Sequence, residues 1–152
     1  MANGLSNAQI GKAMRRVRNF LGVFSANQNP LILIKSFPCC FIMNTKPAPL
    51  SGHWLAFYLL SPTRLEFFDS LGFPLAHYAH LSSYFSQFIS VHSNTNNILQ
   101  SSNSSLCGEY CIAFLQLRSI SHIQFTKIIC LLSRKTNSLR DSYVSRFRLL
   151  LK

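Results

Sequence analysis

Before Cys107 the apolar residues of this chain gather into short dense runs; beyond it they recur at helical spacing. Residues 6–18 predict a short basic helix starting at Ser6/Asn7, and the polar "SANQNP" after it predicts a loop. "LILIK" and "CCFIMN" are compact, Pro-bounded apolar runs of the kind buried strands show. "HWLAFYLL" and "RLEFFDS" stand on either side of Ser61-Pro62-Thr63, which is a hairpin signal. Residues 75–90 predict a helix with Leu75, Tyr78, Ala79, Leu81, Phe85 and Phe88 along one side. "SVHSNTNN" reads as a polar loop and "NILQ" as one more short strand. Three helices are expected at roughly 107–118, 121–133 and 138–151. No internal repeat is visible. Strands first and helices last predict an α+β domain over residues 1–152, a small mixed or antiparallel sheet with helices packed on one side.

The hairpin carries more than apolar residues. Side chains alternate between sheet faces, so His53, Leu55, Phe57 and Leu59 share one face, as do Leu65, Phe67 and Asp69 on the second strand. A turn centred near Ser61 places His53 roughly opposite Asp69 on that face, about 5 Å apart at Cβ, within reach of an Asp–imidazole hydrogen bond. A one-residue slip would put the two on opposite faces.

Composition narrows the class. A chain of 152 residues, 48% of them apolar and with 13 Phe, can bury a core and is no disordered tail. Fifteen Lys/Arg against four Asp/Glu give a net charge of +11, which favours polyanionic partners. Lys12, Arg15, Arg16 and Arg18 cluster early; Arg118, Lys127, Arg134, Lys135, Arg140, Arg146, Arg148 and Lys152 cluster late, with Asp141 the single acid among them. No signal-peptide pattern and no stretch of about 18 apolar residues is present, so an intracellular protein with reduced thiols is expected, not a membrane span. Cys39, Cys40, Cys111 and Cys130 read as packed thiols, with one of Cys39 and Cys40 facing the core. Zinc on Cys107, Cys111 and His122 is conceivable from the i, i+4 spacing, but packed thiols are the expectation and no metal is assigned. His77 and His80 read as rim residues.

Cys107 stands apart from the other thiols. In "LQSSNSSLCGEYCIAFL" it lies where a Ser/Asn loop turns into a helix. A thiolate there gains from the helix dipole and from free backbone N–H groups. A nearby imidazole such as His53 can take the thiol proton, and an acid such as Asp69 behind it fixes the tautomer. Acyl transfer also needs donors for the developing oxyanion, and Gln100 with the Cys107 N–H could supply them if the intervening loop folds back.

These residues carry a family resemblance. "SGHWLAFYL", "EFFDSLGFP" and "LQSSNSSLCGEYC", supported upstream by "FLGVFSANQNP" and "FIMNTKP", resemble the adenovirus-type cysteine proteases (adenain), and more closely those of Polinton/Maverick elements and adintoviruses, over roughly residues 20–118. The broader group includes the ubiquitin-like-protein proteases. The resemblance implies a papain-like cysteine protease arrangement of the adenain type. In it His53 is the general base, Asp69 its orienter, Cys107 the nucleophile and Gln100 the oxyanion donor, with Trp54 beside the substrate cleft. Asn44 matches the family's "NT", without an assigned role. Adenain itself has Glu where this chain has Asp69. Its cofactor-bonding Cys has no counterpart in "SQFISVHSN", so no covalent peptide activation is expected.

The expected function is a cysteine endopeptidase cleaving Gly-rich sites in capsid or core precursors of a virus or mobile element. It would be a monomer without a cofactor, active in the host nucleus and virion. Sequence-independent DNA binding through Arg134, Lys135, Arg140, Arg146 and Arg148 accompanies it, and activation by DNA stays open. The alternatives are an isopeptidase acting on ubiquitin or SUMO-like tails, or a catalytically silent basic DNA-binding protein on the same fold.

Overall fold

The computed structural model of the chain describes residues 4–133 with Asp141, Ser142, Val144 and Ser145. Ser6 opens helix α1 (Asn7–Met14) with a reciprocal capping box, its side chain accepting from the Gln9 N–H while Gln9 accepts from the Ser6 N–H. The helix ends at Met14, so Arg15, Arg16 and Arg18 follow it as exposed residues. A five-stranded sheet comes next, in the spatial order β1 (Phe20–Phe24), β2 (Cys39–Asn44), β3 (Trp54–Ser61), β4 (Arg64–Phe68) and β5 (Ser90–Ser93). The three central strands pair antiparallel, and β1 and β5 add to the two edges in parallel. Parallel neighbours need crossovers. Residues 25–38 supply one and residues 69–89 the other.

Those crossovers explain where the elements depart from the hydrophobic pattern. "LILIK" is no buried strand: the Asn29 side chain accepts from the Leu31 N–H and Pro30 starts a 3-10 turn over Pro30–Leu33, leaving Ile32 79% exposed. The segment 75–90 is broken into 3-10 turns at Leu75–His77 and Ser83–Phe85 around one short helix, α2 (Ala79–Ser82). Tyr78, Leu81, Phe85 and Phe88 nevertheless point into the core, while Ala79 is exposed. "SVHS" is an edge strand, not a loop, and "NILQ" is irregular.

Helix α3 (Cys107–Ser119) crosses behind β3, with α1 and α4 (Phe125–Ser133) beside it. One core lies between these helices and the face carrying Cys40, Ile42, Trp54, Ala56, Tyr58 and Phe68. A second core, rich in Phe, lies on the opposite face under the 75–88 crossover. Helical segments therefore cover both faces, and Cys39 and Cys40 are both buried, one in each core. Cys130 is exposed on α4, against its expected place in the core. Arg118 is drawn out of the basic surface: it donates to both carboxylate oxygens of Glu66 at 2.8 and 3.1 Å and stacks over the Tyr58 ring. Of the expected third helix, residues 141, 142, 144 and 145 are helical; its other residues lie outside the described ones. Among the described residues no helix is long and apolar enough to cross a membrane.

Candidate active site

At one end of the sheet the start of β3, the end of β4 and the start of α3 converge. The register pairs Ala56 with Phe68, which continued by one residue sets Asp69 across from Leu55. His53 therefore meets Asp69 on the diagonal of the shared face, two residues from the opposite position the turn implied. The contact is close: the His53 Nε2–H donates to Asp69 Oδ1 at 2.7 Å.

Asp69 is fully buried and held on every side. Its Oδ1 also accepts from the Leu71 N–H at 2.8 Å, and its Oδ2 accepts from the Tyr78 hydroxyl at 2.7 Å. The Asp69 backbone is pinned by Asn94, whose Oδ1 accepts the Asp69 N–H while its Nδ2 donates to the Asp69 carbonyl. Burial and the carboxylate beside it push the Tyr78 phenol upward, so it stays a donor.

With Nε2 engaged, Nδ1 is the ring nitrogen left for the thiol. Burial disfavours charge on His53, but hydrogen bonds to Asp69 and Cys107, and the charges of both, outweigh it and raise its pKa to about 9. The remaining buried thiols are disfavoured as thiolates: burial pushes Cys39 up to about 11 and Cys40 up to about 12, and raises Cys111 well above its ordinary value.

Cys107 is the first residue of α3, with Leu106 at the cap and no side chain capping it. The first N–H groups of a helix have no intrahelical acceptor, so the Cys107 N–H is a candidate donor for a bound carbonyl. Gly108 lets α3 approach closely. A Cβ there would lie 3.2 Å from Leu5 Cβ and 3.3 Å from Trp54 Cδ1. Trp54 is itself fixed, its Nε1–H donating to the Leu5 carbonyl at 3.1 Å and its own carbonyl accepting from the Cys111 thiol.

The "SSNSS" loop is folded rather than slack. The Ser104 N–H returns to the Ser101 carbonyl, and the Gln100 Nε2 donates to the Ser104 carbonyl at 2.6 Å. Ser70 holds the other end of that amide, its hydroxyl donating to Gln100 Oε1 at 2.7 Å. Gln100, His53, Trp54 and Cys107 all line one cleft of about 720 Å³, together with Leu5, Asn44, Leu50 and several serines. Among the described residues lining it, His53 is the one titratable nitrogen and there is no Lys, Arg, Asp or Glu.

The structure thus brings His53, Trp54, Asp69, Gln100 and Cys107 together. Arg134, Lys135, Arg140, Arg146 and Arg148 lie outside the described residues. His122 sits beyond the far end of α3 from Cys107, and among the described residues no three His, Cys, Asp or Glu are grouped to hold a metal. His77 is exposed and stacked on Phe73, while His80 donates to the Thr45 carbonyl.

Thr45, Ser70, Tyr78 and Asn94 are site-supporting residues the sequence reading did not single out. Tyr78 carried a signal, a lone phenol on an otherwise apolar stripe. Thr45 stood beside Asn44 in the "NT" pair, and it accepts the His53 N–H on its Oγ1 at 3.0 Å while its own N–H donates to the His53 carbonyl.

That Thr45 clamp leaves no room at Gly52. A Cβ there would collide with Asn44 Oδ1 and lie 2.7 Å from Thr45 Oγ1. Gly52→Ala is expected to displace His53, costing about 1–3 kcal/mol in denaturant unfolding and at least about tenfold in kcat/KM. A variant with wild-type stability and kinetics would show that the loop yields without moving the ring.

No protein-family model and no curated protein matches the chain. Among solved structures, the crystal structure of the ASFV pS273R protease matches with a TM-score of 0.57 at 17% identity, covering 93% of this chain and 66% of that one. The chain thus spans just under two thirds of that protease's length. The likeness bears on the fold, and the expected α+β domain, a small mixed sheet with helices packed on it, is the fold the chain shares with that structure.

Proposed function

We propose that the chain is a cysteine endopeptidase. One observation carries the reading: an imidazole held by a buried carboxylate on one side and a helix-start thiol on the other, opening on a cleft. The fold likeness to a protease supports it.

In this reading the Cys107 thiolate attacks the scissile carbonyl carbon, and the C=O electron pair moves onto oxygen. The oxyanion is held by the Cys107 N–H and the second Gln100 Nε2–H. The His53 imidazolium gives its Nδ1 proton to the leaving nitrogen as the C–N bond breaks, leaving an acyl thioester. A water then attacks the thioester, His53 takes its proton, and the acid leaves with Cys107 returned as thiolate. Asp69 keeps Nε2 protonated throughout and supports the charged ring. The substrate would be a Gly-rich segment, because a cleft bounded by Trp54 beside the thiol admits little side chain. Capsid or core precursors of a virus or mobile element, a nuclear and virion setting, and sequence-independent contact with DNA complete the proposal. The likeness to adenovirus-type and mobile-element proteases in the three quoted motifs supports these.

Two measurements test it. Purified chain is incubated with Gly-rich precursor proteins and with ubiquitin-like diglycine fusions, each with and without DNA. Cleavage of the precursors supports the endopeptidase, and cleavage of the fusions alone makes it an isopeptidase. In parallel, iodoacetamide near neutral pH is expected to modify Cys107 first, because it stands at a helix start beside His53, the group that can take its proton. Exposed Cys130 is the informative competitor, and its earlier modification would remove the nucleophile assignment.

A further inference from the structure

Of the chain's four acids, Glu66 holds Arg118 and Asp69 holds His53, while Glu109 is buried in α3. Asp141 has a different pair of partners. The Ser101 hydroxyl donates to its Oδ2 at 2.5 Å, and the Tyr110 hydroxyl donates to its Oδ1 at 2.6 Å. Ser101 follows Gln100 directly. Tyr110 is fully buried in the first turn of α3, three residues past Cys107, and its hydroxyl also lies 3.0 Å from the Leu99 carbonyl. One carboxylate therefore joins the two segments that carry the oxyanion donors, from 40 residues away on one side and 31 on the other. Val144, one helical turn on from Asp141, is fully buried in the core shared with α3, so the carboxylate is itself anchored.

We propose that Asp141 is a positioning residue, which fixes the Gln100–Ser101 backbone against the start of α3 and so sets the spacing of the two oxyanion donors. The inference rests on the endopeptidase reading. A carboxylate only accepts hydrogen bonds, so both hydroxyls must turn toward it, and a charged acceptor makes each bond stronger than a neutral pair would be. Without the bridge, Gln100 keeps its bonds to Ser70 and Ser104, and Ser104 and Leu99 still tie the loop to the start of α3, but the Ser101 side chain loses its anchor.

The test uses the full chain and a short peptide substrate. Asp141→Ala is expected to lower kcat about tenfold with KM within about twofold, and Asp141→Glu to recover part of the loss. Ser101→Ala removes one of the two bonds and leaves the Tyr110 anchor, so it is expected to show a smaller drop of the same kind even if Asp141→Ala folds poorly. In a Gln100→Ala background the Asp141→Ala effect should shrink below about twofold, because the donor it positions is gone. Alkylation of Cys107 by iodoacetamide develops no oxyanion and should keep its rate. Amide exchange over residues 99–106 should quicken in Asp141→Ala whether or not the chain cleaves peptides, which separates this proposal from the endopeptidase reading. An equal loss in both backgrounds, slowed alkylation in parallel with kcat, or unchanged exchange at 99–106 would overturn it.

Discussion

Cys107→Ala is expected to lower peptide cleavage by about 10⁴–10⁶-fold, and His53→Ala by nearly as much, because residues that act as one unit fail together. The geometry gives the reason. The His53 ring stands between Asp69 and the Cys107 thiol and is the group that can take the thiol proton and return it to the leaving amine. The double variant should be no worse than either single one. Their stabilities should differ, however. Cys107→Ala removes one partly enclosed sulfur, whereas His53→Ala leaves the fully buried Asp69 carboxylate with only the Leu71 N–H and the Tyr78 hydroxyl. That residual charge is costly, so a lower melting temperature is expected for His53→Ala. His53→Gln can still donate to Asp69 and should recover stability without recovering kcat. Residual activity above about a tenth of wild type in either alanine variant would remove that residue from the chemistry.

The antiparallel centre of the fold was legible because its strands are dense apolar runs set around a Ser-Pro-Thr turn. "CCFIMN", "HWLAFYLL" and "RLEFF" are buried almost throughout, as strands covered on both faces are, and the face shared by His53 and Asp69 follows from counting side chains outward from that turn. Register was less legible. The chain pairs Ser61 with Arg64 and, after a one-residue irregularity, Leu59 with Leu65, so the hairpin is centred near Pro62 and not Ser61, which sets Asp69 on the diagonal from His53. The edge strands were not legible. β1 is a five-residue parallel strand containing Gly22, and β5 has three exposed residues out of four, so neither shows the apolar density of a buried strand. "LILIK" failed in the other direction: its density is real, but Asn29 and Pro30 impose a turn that propensity and periodicity do not register. The supporting residues of the site were the hardest to see. Ser70 and Asn94 act through hydrogen bonds to residues 30 and 25 positions away and Thr45 across a loop of eight, and nothing local marks a Ser, Thr or Asn as a pin rather than a loop residue.

Gln100→Ala is expected to lower kcat by about 10²–10³-fold while leaving KM little changed. The amide is oriented before substrate arrives. Ser70 donates to its Oε1, and the Ser104 carbonyl accepts from its Nε2, so flipping the amide would set two acceptors against each other at Ser104. One N–H is used there and the second is available in the cleft that also holds Cys107. A donor fixed in this way strengthens its bond as charge develops on the carbonyl oxygen and offers little to the neutral ground state, which is why the loss should fall on kcat. Gln100→Glu sharpens the test. It keeps an acceptor for Ser70 but places a carboxylate oxygen beside the Ser104 carbonyl and the developing oxyanion. It should therefore fall below Gln100→Ala in kcat although it is closer in shape. Ser70→Ala leaves the donor present but unheld, and an intermediate loss is expected. If Gln100→Glu matched the wild type, or if Gln100→Ala raised KM with kcat unchanged, the second oxyanion donor would have to be sought elsewhere on the rim of the cleft, with the backbone N–H of Cys107 left as the first.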